Sequence, residues 1–551
     1  MPAPKLRVIP LGGLGEIGKN MMALEYGDDI VVIDAGLAFP SEDLLGVDLV
    51  IPDISYLEER REKVRAILIT HGHEDHTGAL PYVLTRLPVP VYAPRLAHGL
   101  ISVKLKERHA IRGARLEAIE PGKELKLGRF RVEFFRVCHS IPDAMGIAIR
   151  TPVGLVIHTG DFKIDHTPVD GLPTDFPKLA ELASEGVLLL CSDSTYAELP
   201  GFTPSEQVVG EALDRVLGEA QGRVMVATFA SLISRVQQVV NAAARHQRRV
   251  GVVGLSMVNN VKMALDMGYL HDEAGVLAPL DEIKRLPHEK VVIVTTGTQG
   301  EPTSALVRMS NKEHRELHII PGDTVVLSAS PIPGNQTVIG RTIDNLLRQG
   351  ARVLYERNAL VHVHGHASQE ELKLVLNITR PKYLVPVHGE YRHLMAHAAL
   401  ARSLGMPEEN AIVLEDGDVL EIDSKGASVD GRVPAGDVYV TGRRVWRPEE
   451  AALLDRRTLA REGVVVVVLP VGGGNGPLAG DPKVAARGLV GVTETPGLLE
   501  ALAAEARGAM AKAGSQEGRD DREARVAQAL SQYLHRETGG HPMVIPILVE
   551  A

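Results

Sequence analysis

The stretch Ala66-Ile67-Leu68-Ile69-Thr70-His71-Gly72-His73-Glu74-Asp75-His76 decides the reading of this chain. A short apolar run reads as a buried strand, and four side chains able to bind metal follow it within six residues. In extended chain, residues two apart project to one side, so His71 and His73 are placed to grip one ion together. A tight turn after them lets Asp75 and His76 face a second ion. Imidazole and carboxylate donors suit zinc, and manganese as well. The spacing points to a metal-dependent hydrolase.

Outward from this cluster the same pattern repeats: an apolar strand stops and a polar residue follows. Leu6-Arg7-Val8-Ile9-Pro10-Leu11 leads into a glycine-rich loop, and Ile30-Val31-Val32-Ile33 ends at Asp34. Residues 132–137 end at Cys138-His139, and Leu155-Val156-Ile157-His158 leads to Thr159-Gly160-Asp161. Leu188-Leu189-Leu190-Cys191 ends near Asp193. Residues 383–385 precede Val387-His388, and a further strand is expected to end near Leu414. Strand ends are where α/β proteins place their sites. His139, Asp161 and His388 therefore join the cluster as expected ligands, with Asp161 placed to bridge two ions. Asp34 is a candidate to orient an imidazole, or simply a turn residue.

Between residues 203 and 350 the texture changes to helix–strand alternation, with strands expected at 223–227, 250–253, 291–295 and 324–328. Thr203-Pro204-Ser205-Glu206 reads as a helix start with Thr203 as N-cap. The earlier style returns after residue 350, so 203–350 reads as an insertion. The expected organisation is a first domain in two parts (1–202 and 351–425), the insertion, a connector (426–455) and a small C-terminal α+β domain (456–551). In that domain strands are expected at 464–469, 489–493 and 543–549, with helices near 497–512 and 522–535. The run from Gly514 to Arg525 reads as a charged loop or helix start.

Composition narrows the class. The chain has 551 residues, too many for one core. No apolar run reaches the roughly 20 residues of a membrane span, and no signal-peptide core follows Met1. The only two cysteines, Cys138 and Cys191, argue against a disulfide scaffold and for a cytoplasmic, reducing location. They read as buried thiols, although Cys138 stands beside His139. A formal net charge of −10 argues against a wholly basic nucleic-acid surface. Two local basic runs remain: Lys104, Lys106, Arg108 and Arg112, and Arg245, Arg248 and Arg249. Each reads equally as a solvated helix face.

These residues carry a resemblance. H-x-H-x-D-H with a distal His, Asp and His resembles the metallo-β-lactamase fold, an αββα sandwich of two sheets flanked by helices. That resemblance implies His71, His73 and His139 on one metal, Asp75, His76 and His388 on the other, and Asp161 between them. Two divalent ions are implied, zinc first, with Mn2+ or Mg2+ as alternatives. The insertion resembles the β-CASP α/β domain of nucleic-acid-processing members. This implies roles for Asp193 in Ser192-Asp193-Ser194-Thr195 and for His366 in His362-Val363-His364-Gly365-His366, with Asp75, Asp193 and His366 as catalytic residues. A charge-supported His366 is suited to protonating a leaving oxygen.

The segment Phe39-Pro40-Ser41-Glu42-Asp43-Leu44-Leu45-Gly46-Val47-Asp48-Leu49-Val50-Ile51-Pro52-Asp53 resembles the bacterial ribonuclease J family. So do Ser140-Ile141-Pro142-Asp143-Ala144, Phe229-Ala230-Ser231 and Ser330-Pro331-Ile332-Pro333-Gly334-Asn335. The resemblance implies a 5′→3′ exoribonuclease with endonuclease activity that prefers 5′-monophosphate ends and acts in mRNA decay and rRNA maturation. It implies a single-stranded RNA substrate, a homodimer or tetramer through the C-terminal domain, and partners in an RNA-decay complex. It places Ser231, Leu232 and Ile233 on one side of the 5′ end, the latter two through backbone groups, and His362, Val363, His364, Gly365 and His366 on the other. Ser231 reads equally as a helix N-cap. His364 departs from the family pattern, which more often has a small residue there. The competing readings are a DNA exonuclease of the same superfamily, a small-ester or thioester hydrolase, and a non-catalytic RNA-binding protein.

Overall fold

The strand Val64–Leu68, which delivers the histidine cluster, lies inside an eight-stranded sheet. Its order is Ala427–Arg432, Asp418–Ile422, Leu6–Gly12, Met21–Tyr26, Asp29–Ile33, Val64–Leu68, Val91–Pro94 and Leu116–Ile119. The computed structural model describes residues 4–41, 43–107, 115–330, 335–447, 450–473, 476–489, 497–513 and 517–550.

A six-stranded sheet faces the first, in the order Tyr383–Val387, Val187–Asp193, Gly154–His158, Met145–Thr151, Phe130–Arg136 and Glu124–Leu127. Side chains alternate between faces of a strand, and both inner faces feed one apolar core. Val8, Leu24, Val31 and Leu68 meet Phe134, Ile147, Val156, Leu189 and Val385 there. The outer faces are covered by helices. Val32 and Ile67 pack with Leu80, Val83, Ala97 and Ile101, while Ile157 and Leu190 pack with Leu179, Leu182, Leu372 and Val375. This is the αββα sandwich. Asp29–Ile33 and Val64–Leu68 run parallel, as do Gly154–His158, Val187–Asp193 and Tyr383–Val387. The C-terminal ends of these strands and the residues just after them bring Asp34, His71, Asp161, Asp193 and His388 to one edge of the sandwich.

The middle of the chain builds a separate five-stranded parallel sheet, in the order Arg249–Val253, Val291–Thr295, Val224–Ala227, Thr324–Leu327 and Arg352–Leu354. Helices cover both faces: Val224 and Val226 pack with Val236, Val239 and Val261, and Met225 with Leu306, Ile339 and Leu346. Its last strand lies just beyond residue 350, where the sequence pattern ended the insertion. Thr203 is not an N-cap. Its hydroxyl donates to the His366 carbonyl (2.8 Å), and the helix begins at Gln207 after Glu206.

Residues 426–455 are not a loose connector. Ala427–Arg432 extends the first sheet, Asp437–Thr441 pairs with Leu49–Pro52, and a helix spans Glu450–Glu462. Ala427–Arg432 is an edge strand exposed on both faces, while Asp437–Thr441 is the buried middle strand of a small sheet. No strand ends at Leu414; Ala411 makes only an isolated bridge to Leu384.

A second compact unit comprises residues 40–48 and 446–551. Val464–Val471 is the centre of a three-stranded sheet, antiparallel to Lys483–Arg487 and parallel to Met543–Glu550. Leu498–Ala511 and Arg519–Thr538 cover one face, where Leu502, Ala506, Val526 and Leu530 meet Val465, Val467 and Leu548. The strand in this region lies at Lys483–Arg487, ahead of the expected 489–493; residues 490–493 lie outside the described residues, as do 514–516 of the charged run. No described helix is long and apolar enough to cross a membrane.

Candidate metal centre

The turn after the strand Val64–Leu68 is stitched to the loop that follows Asp29–Ile33. The backbone N–H groups of Ala35 and Leu37 donate to the His76 and Glu74 carbonyls, and Asn20 N–H donates to Asp75 O. A Cβ on Gly36 would stand 1.6 Å from the Asp75 carbonyl oxygen, so only glycine permits this approach. The tight turn is one turn of helix, Glu74–Thr77, which swings Asp75 and His76 away from His71 and His73.

His71, His73 and His139 converge. His71 Nε2 is 3.0 Å from His73 Nδ1, and His139 Nε2 is 3.2 Å from the same atom. Asp75, His76, Asp161 and His388 form the adjoining group. His76 Nε2 lies 3.2 Å from Asp161 Oδ2 and 3.6 Å from Asp75 Oδ2, and His388 Nδ1 lies 2.9 Å from Asp161 Oδ1. Asp161 Oδ2 is also 3.7 Å from His71 Nε2 and 3.8 Å from His139 Nε2, so this carboxylate stands between the two groups.

Hydrogen bonds at the outer ring nitrogens fix the tautomers. Thr70 Oγ1 donates to Asp34 Oδ2 (2.8 Å) and so accepts from His71 Nδ1–H (3.0 Å). His76 Nδ1–H donates to Asp34 Oδ2 at 2.7 Å, and His139 Nδ1–H to the Gly365 carbonyl at 2.7 Å. Asp34 therefore orients an imidazole, held at φ 60°, a conformation Asp tolerates better than most residues. The inward nitrogens of His71 and His139 then carry lone pairs. His71 Nε2 and His139 Nε2 both face His73 Nδ1, which can donate to only one of them, Asn20 Nδ2 donates toward His76 Nε2 (3.2 Å), and His388 Nε2 is buried with no hydrogen-bond partner. A divalent cation would satisfy that set of nitrogen and oxygen donors.

Electrostatics separates the two groups. Burial, reinforced by neighbouring rings, lowers His73 to about 4 and holds His71 and His139 well below the usual value. For His76 and His388, burial opposes the charged ring, but Asp161 and Asp75 outweigh it, with Asp34 adding to His76; His388 is raised to about 10. Burial works against the charge of Asp75 and Asp161, yet the surrounding imidazoles keep both ionised below the usual carboxylate range.

At the rim, His366 Nδ1 meets Asp193 Oδ2 at 2.8 Å and lies 3.9 Å from Asp161 Oδ2. Burial alone would lower His366, but the Asp193 charge and hydrogen bond raise it. Asp193 Oδ1 accepts from Thr195 N–H and from Thr195 Oγ1–H, which fixes it opposite the ring. Gly365 lies against His139, where a Cβ would come within 2.6 Å of the ring.

Around the expected 5′-end pocket, Ile233 shares an apolar cluster with Val361 and Val363. The buried Arg235 guanidinium donates to the Val361 carbonyl and to Glu206 Oε2. Ser231 is not an N-cap; Leu232 precedes the helix Ile233–Arg245. The N–H groups of Leu232 and Ile233 are engaged within the turn, on the Phe229 and Ser231 carbonyls. His362 Nδ1 is buried without a partner, and burial lowers this ring to about 3.

The second basic run is spent on internal partners, while in the first Lys106 is exposed. Lys104 pairs with Glu74, and Arg108 and Arg112 lie outside the described residues. Arg245 pairs with Asp214, Arg249 with Glu282, and the buried Arg248 donates to the Ala220 and Gly222 carbonyls. The Cys138 thiol points to the Asp165 and Leu172 carbonyls, and burial raises it; burial also pushes Cys191 up to about 12.

Sequence reading missed Thr70, Asn20, Thr195 and Arg235. Thr70 and Thr195 do stand next to a motif residue or two beyond one, which is a signal of their role. Arg235 and Asn20 act across distant segments and leave none.

Four family models match the chain: the metallo-β-lactamase superfamily over residues 14–196, the ribonuclease J β-CASP domain over 221–346, a Zn-dependent metallo-hydrolase RNA specificity domain over 350–413 and the ribonuclease J C-terminal domain over 451–551. The chain is 47% identical over 499 residues to ribonuclease J of Synechocystis sp., covering 90% of this chain and 77% of that one. It is 44% identical to ribonuclease J of Thermus thermophilus, covering 100% and 96%, and 40% identical to ribonuclease J2 of Bacillus subtilis, covering 99% and 98%. A crystal structure of a protein of unknown function from Enterococcus faecalis V583 has a similar fold, with a TM-score of 0.55 and 16% identity over 77% of this chain and all of that one.

Proposed function

The chain belongs to the ribonuclease J family, and we propose that this metal-dependent, RNA-processing nuclease removes nucleotides 5′→3′ from monophosphorylated ends and also cuts internally. The reading assigns two divalent ions, zinc first and Mn2+ or Mg2+ as alternatives. One is held by His71, His73 and His139, the other by Asp75, His76 and His388, with Asp161 bridging. The observation that carries it is the convergence of these side chains on Asp161, with the His366–Asp193 pair at their rim.

Ions bound there supply Lewis acidity to the phosphoryl oxygens and activate a water for attack. The chain's own groups do the rest. Asp34, Thr70 and the Gly365 carbonyl each take the outer N–H of an imidazole, which turns the inner nitrogens of His76, His71 and His139 toward the ions. Asp193 keeps His366 protonated, so that its second nitrogen donates a proton to the leaving oxygen. Ser231 and the unpartnered His362 Nδ1 are the groups best placed to hold a terminal phosphate. Because the N–H groups of Leu232 and Ile233 are spent in their own turn, the backbone contribution expected of them is assigned instead to these side chains.

The exposed face of the C-terminal sheet is proposed as a homodimer or tetramer surface. Ile545, Ile547 and Val549 are 38–45% exposed on a single face, and such apolar patches mark interfaces. The proposed setting is the cytoplasm, in mRNA decay and rRNA maturation, with further decay-complex partners.

End-labelled RNA and DNA of one sequence, bearing 5′-monophosphate or 5′-triphosphate, test the activity. The expected result is rapid release of labelled nucleotide from monophosphorylated RNA alone. Equal degradation of DNA, or indifference to the 5′ group, would contradict it.

A further inference from the structure

His362, His364 and His366 are half-buried and alternate with buried Val361, Val363, Gly365 and Ala367 in an irregular segment, and the Tyr196 ring lies against both His364 and His366, with centroids 3.9 and 5.7 Å away. The proposed function uses the outer two: His366 at the scissile phosphate and His362 at the terminal one. In a 5′ exonuclease a single nucleotide separates these phosphates, and His364 is the residue of the segment that stands between the two groups assigned to them.

The chemistry of His364 is set by its surroundings. Its ring stacks on Tyr196, with centroids 3.9 Å apart and planes 8° from parallel. Its Nδ1–H donates to the His366 carbonyl at 3.0 Å, which leaves Nε2 as the acceptor of a neutral ring. Burial, with His366 next to it, lowers the ring to about 4 and keeps it neutral. Among the described residues no protein group bonds this Nε2. A bare nitrogen repels phosphate oxygens, which are acceptors only, and accepts from a hydroxyl. The ribose 2′-hydroxyl is the donor that distinguishes RNA from DNA.

We propose that His364 is a specificity-determining residue whose Nε2 accepts a hydrogen bond from the 2′-hydroxyl of the 5′-terminal nucleotide, with Tyr196 as the positioning residue that holds its ring. This rests on the 5′-exonuclease reading above.

The test is single-turnover cleavage by the intact protein of 5′-monophosphorylated RNA with one 2′-deoxy substitution, at the first nucleotide or at the third. In the wild type, deoxy substitution at the first nucleotide is expected to slow release about tenfold, the effect of one good hydrogen bond, and substitution at the third to have no effect. His364→Phe keeps a ring for Tyr196 but has no acceptor, and should cut that ratio to within about twofold, as should His364→Ser, while metal content is unchanged. Tyr196→Phe should retain the ratio and Tyr196→Leu reduce it. An unchanged ratio in both His364 variants overturns the inference, as does an unchanged ratio with loss of the monophosphate preference, which would place His364 on phosphate. Failure of the wild type to release nucleotides from the 5′ end would instead overturn the exonuclease reading.

Discussion

Asp34→Asn is the most informative small change, because it alters a charge and almost no volume. Asn tolerates the positive φ of 60° that residue 34 adopts, so the backbone stays in place. Asp34 Oδ1 accepts from Thr70 N–H (2.8 Å), and Oδ2 accepts from Thr70 Oγ1–H (2.8 Å) and His76 Nδ1–H (2.7 Å). An amide supplies only one oxygen for these three donors. With its NH2 toward His76, the imidazole must move its proton to Nε2, the nitrogen turned toward Asp161. With its NH2 toward Thr70, two donors face each other in a buried site, at a cost of about 1–3 kcal/mol. Either outcome weakens ion binding by roughly 10–100-fold, or about 1.4–2.8 kcal/mol. Calorimetric titration of the metal-free variant with Zn2+ measures it directly. Affinity within about twofold of wild type would refute the assignment of Asp34 as the group that sets the His76 tautomer.

His366→Ala should slow cleavage by about 10²–10⁴-fold with metal content unchanged; loss of metal on elemental analysis would make His366 a ligand. A general acid works only when protonated, so activity should fall as pH rises through the raised His366 value; Asp193→Asn removes the charge that raises it, and the descending limb of the pH–rate profile should move to lower pH. Between pH 8 and 6, the ion at His71, His73 and His139 should bind with little pH dependence, since burial already keeps those rings neutral. The ion at His76 and His388 must displace protons that carboxylates hold there, so its affinity should fall up to about tenfold per displaced proton for each pH unit lost; equal pH slopes in a metal titration would contradict this. Ile547→Asp places a charge in the exposed apolar stripe of the C-terminal sheet and should shift the chain toward monomer in light scattering; an unchanged mass would move the interface elsewhere.

The convergence of the candidate ligands was largely legible in the sequence because they follow strand ends: four after Val64–Leu68, and His139, Asp161 and His388 each after another strand. His71 and His73 after 64–68, Asp161 after 154–158 and His388 after 383–387 all obey one local rule, and the sandwich brings those strand ends together. What holds the ligands was harder to read. Asp34 was visible as a strand-end acid, but its bond to His76 spans 42 residues of chain. The Gly365 carbonyl reaches His139 from 226 residues away, so no local pattern encodes it. Thr203 shows the converse failure: its position suits an N-cap, yet tertiary contact with the His366 carbonyl takes its hydroxyl. Residues 426–455 carry the mixed polarity of a connector because the edge strand Ala427–Arg432 is exposed on both faces and only Asp437–Thr441 is buried.

The account stands on a metal-dependent attack on RNA at a centre of two ions. Stripping the protein with chelator, then adding Zn2+ or Mn2+ in measured equivalents while following cleavage of 5′-monophosphorylated RNA, tests it most directly. The expected result is no cleavage in chelator and recovery that saturates at two ions per chain. Undiminished cleavage in chelator, or full recovery at one ion per chain, would contradict it.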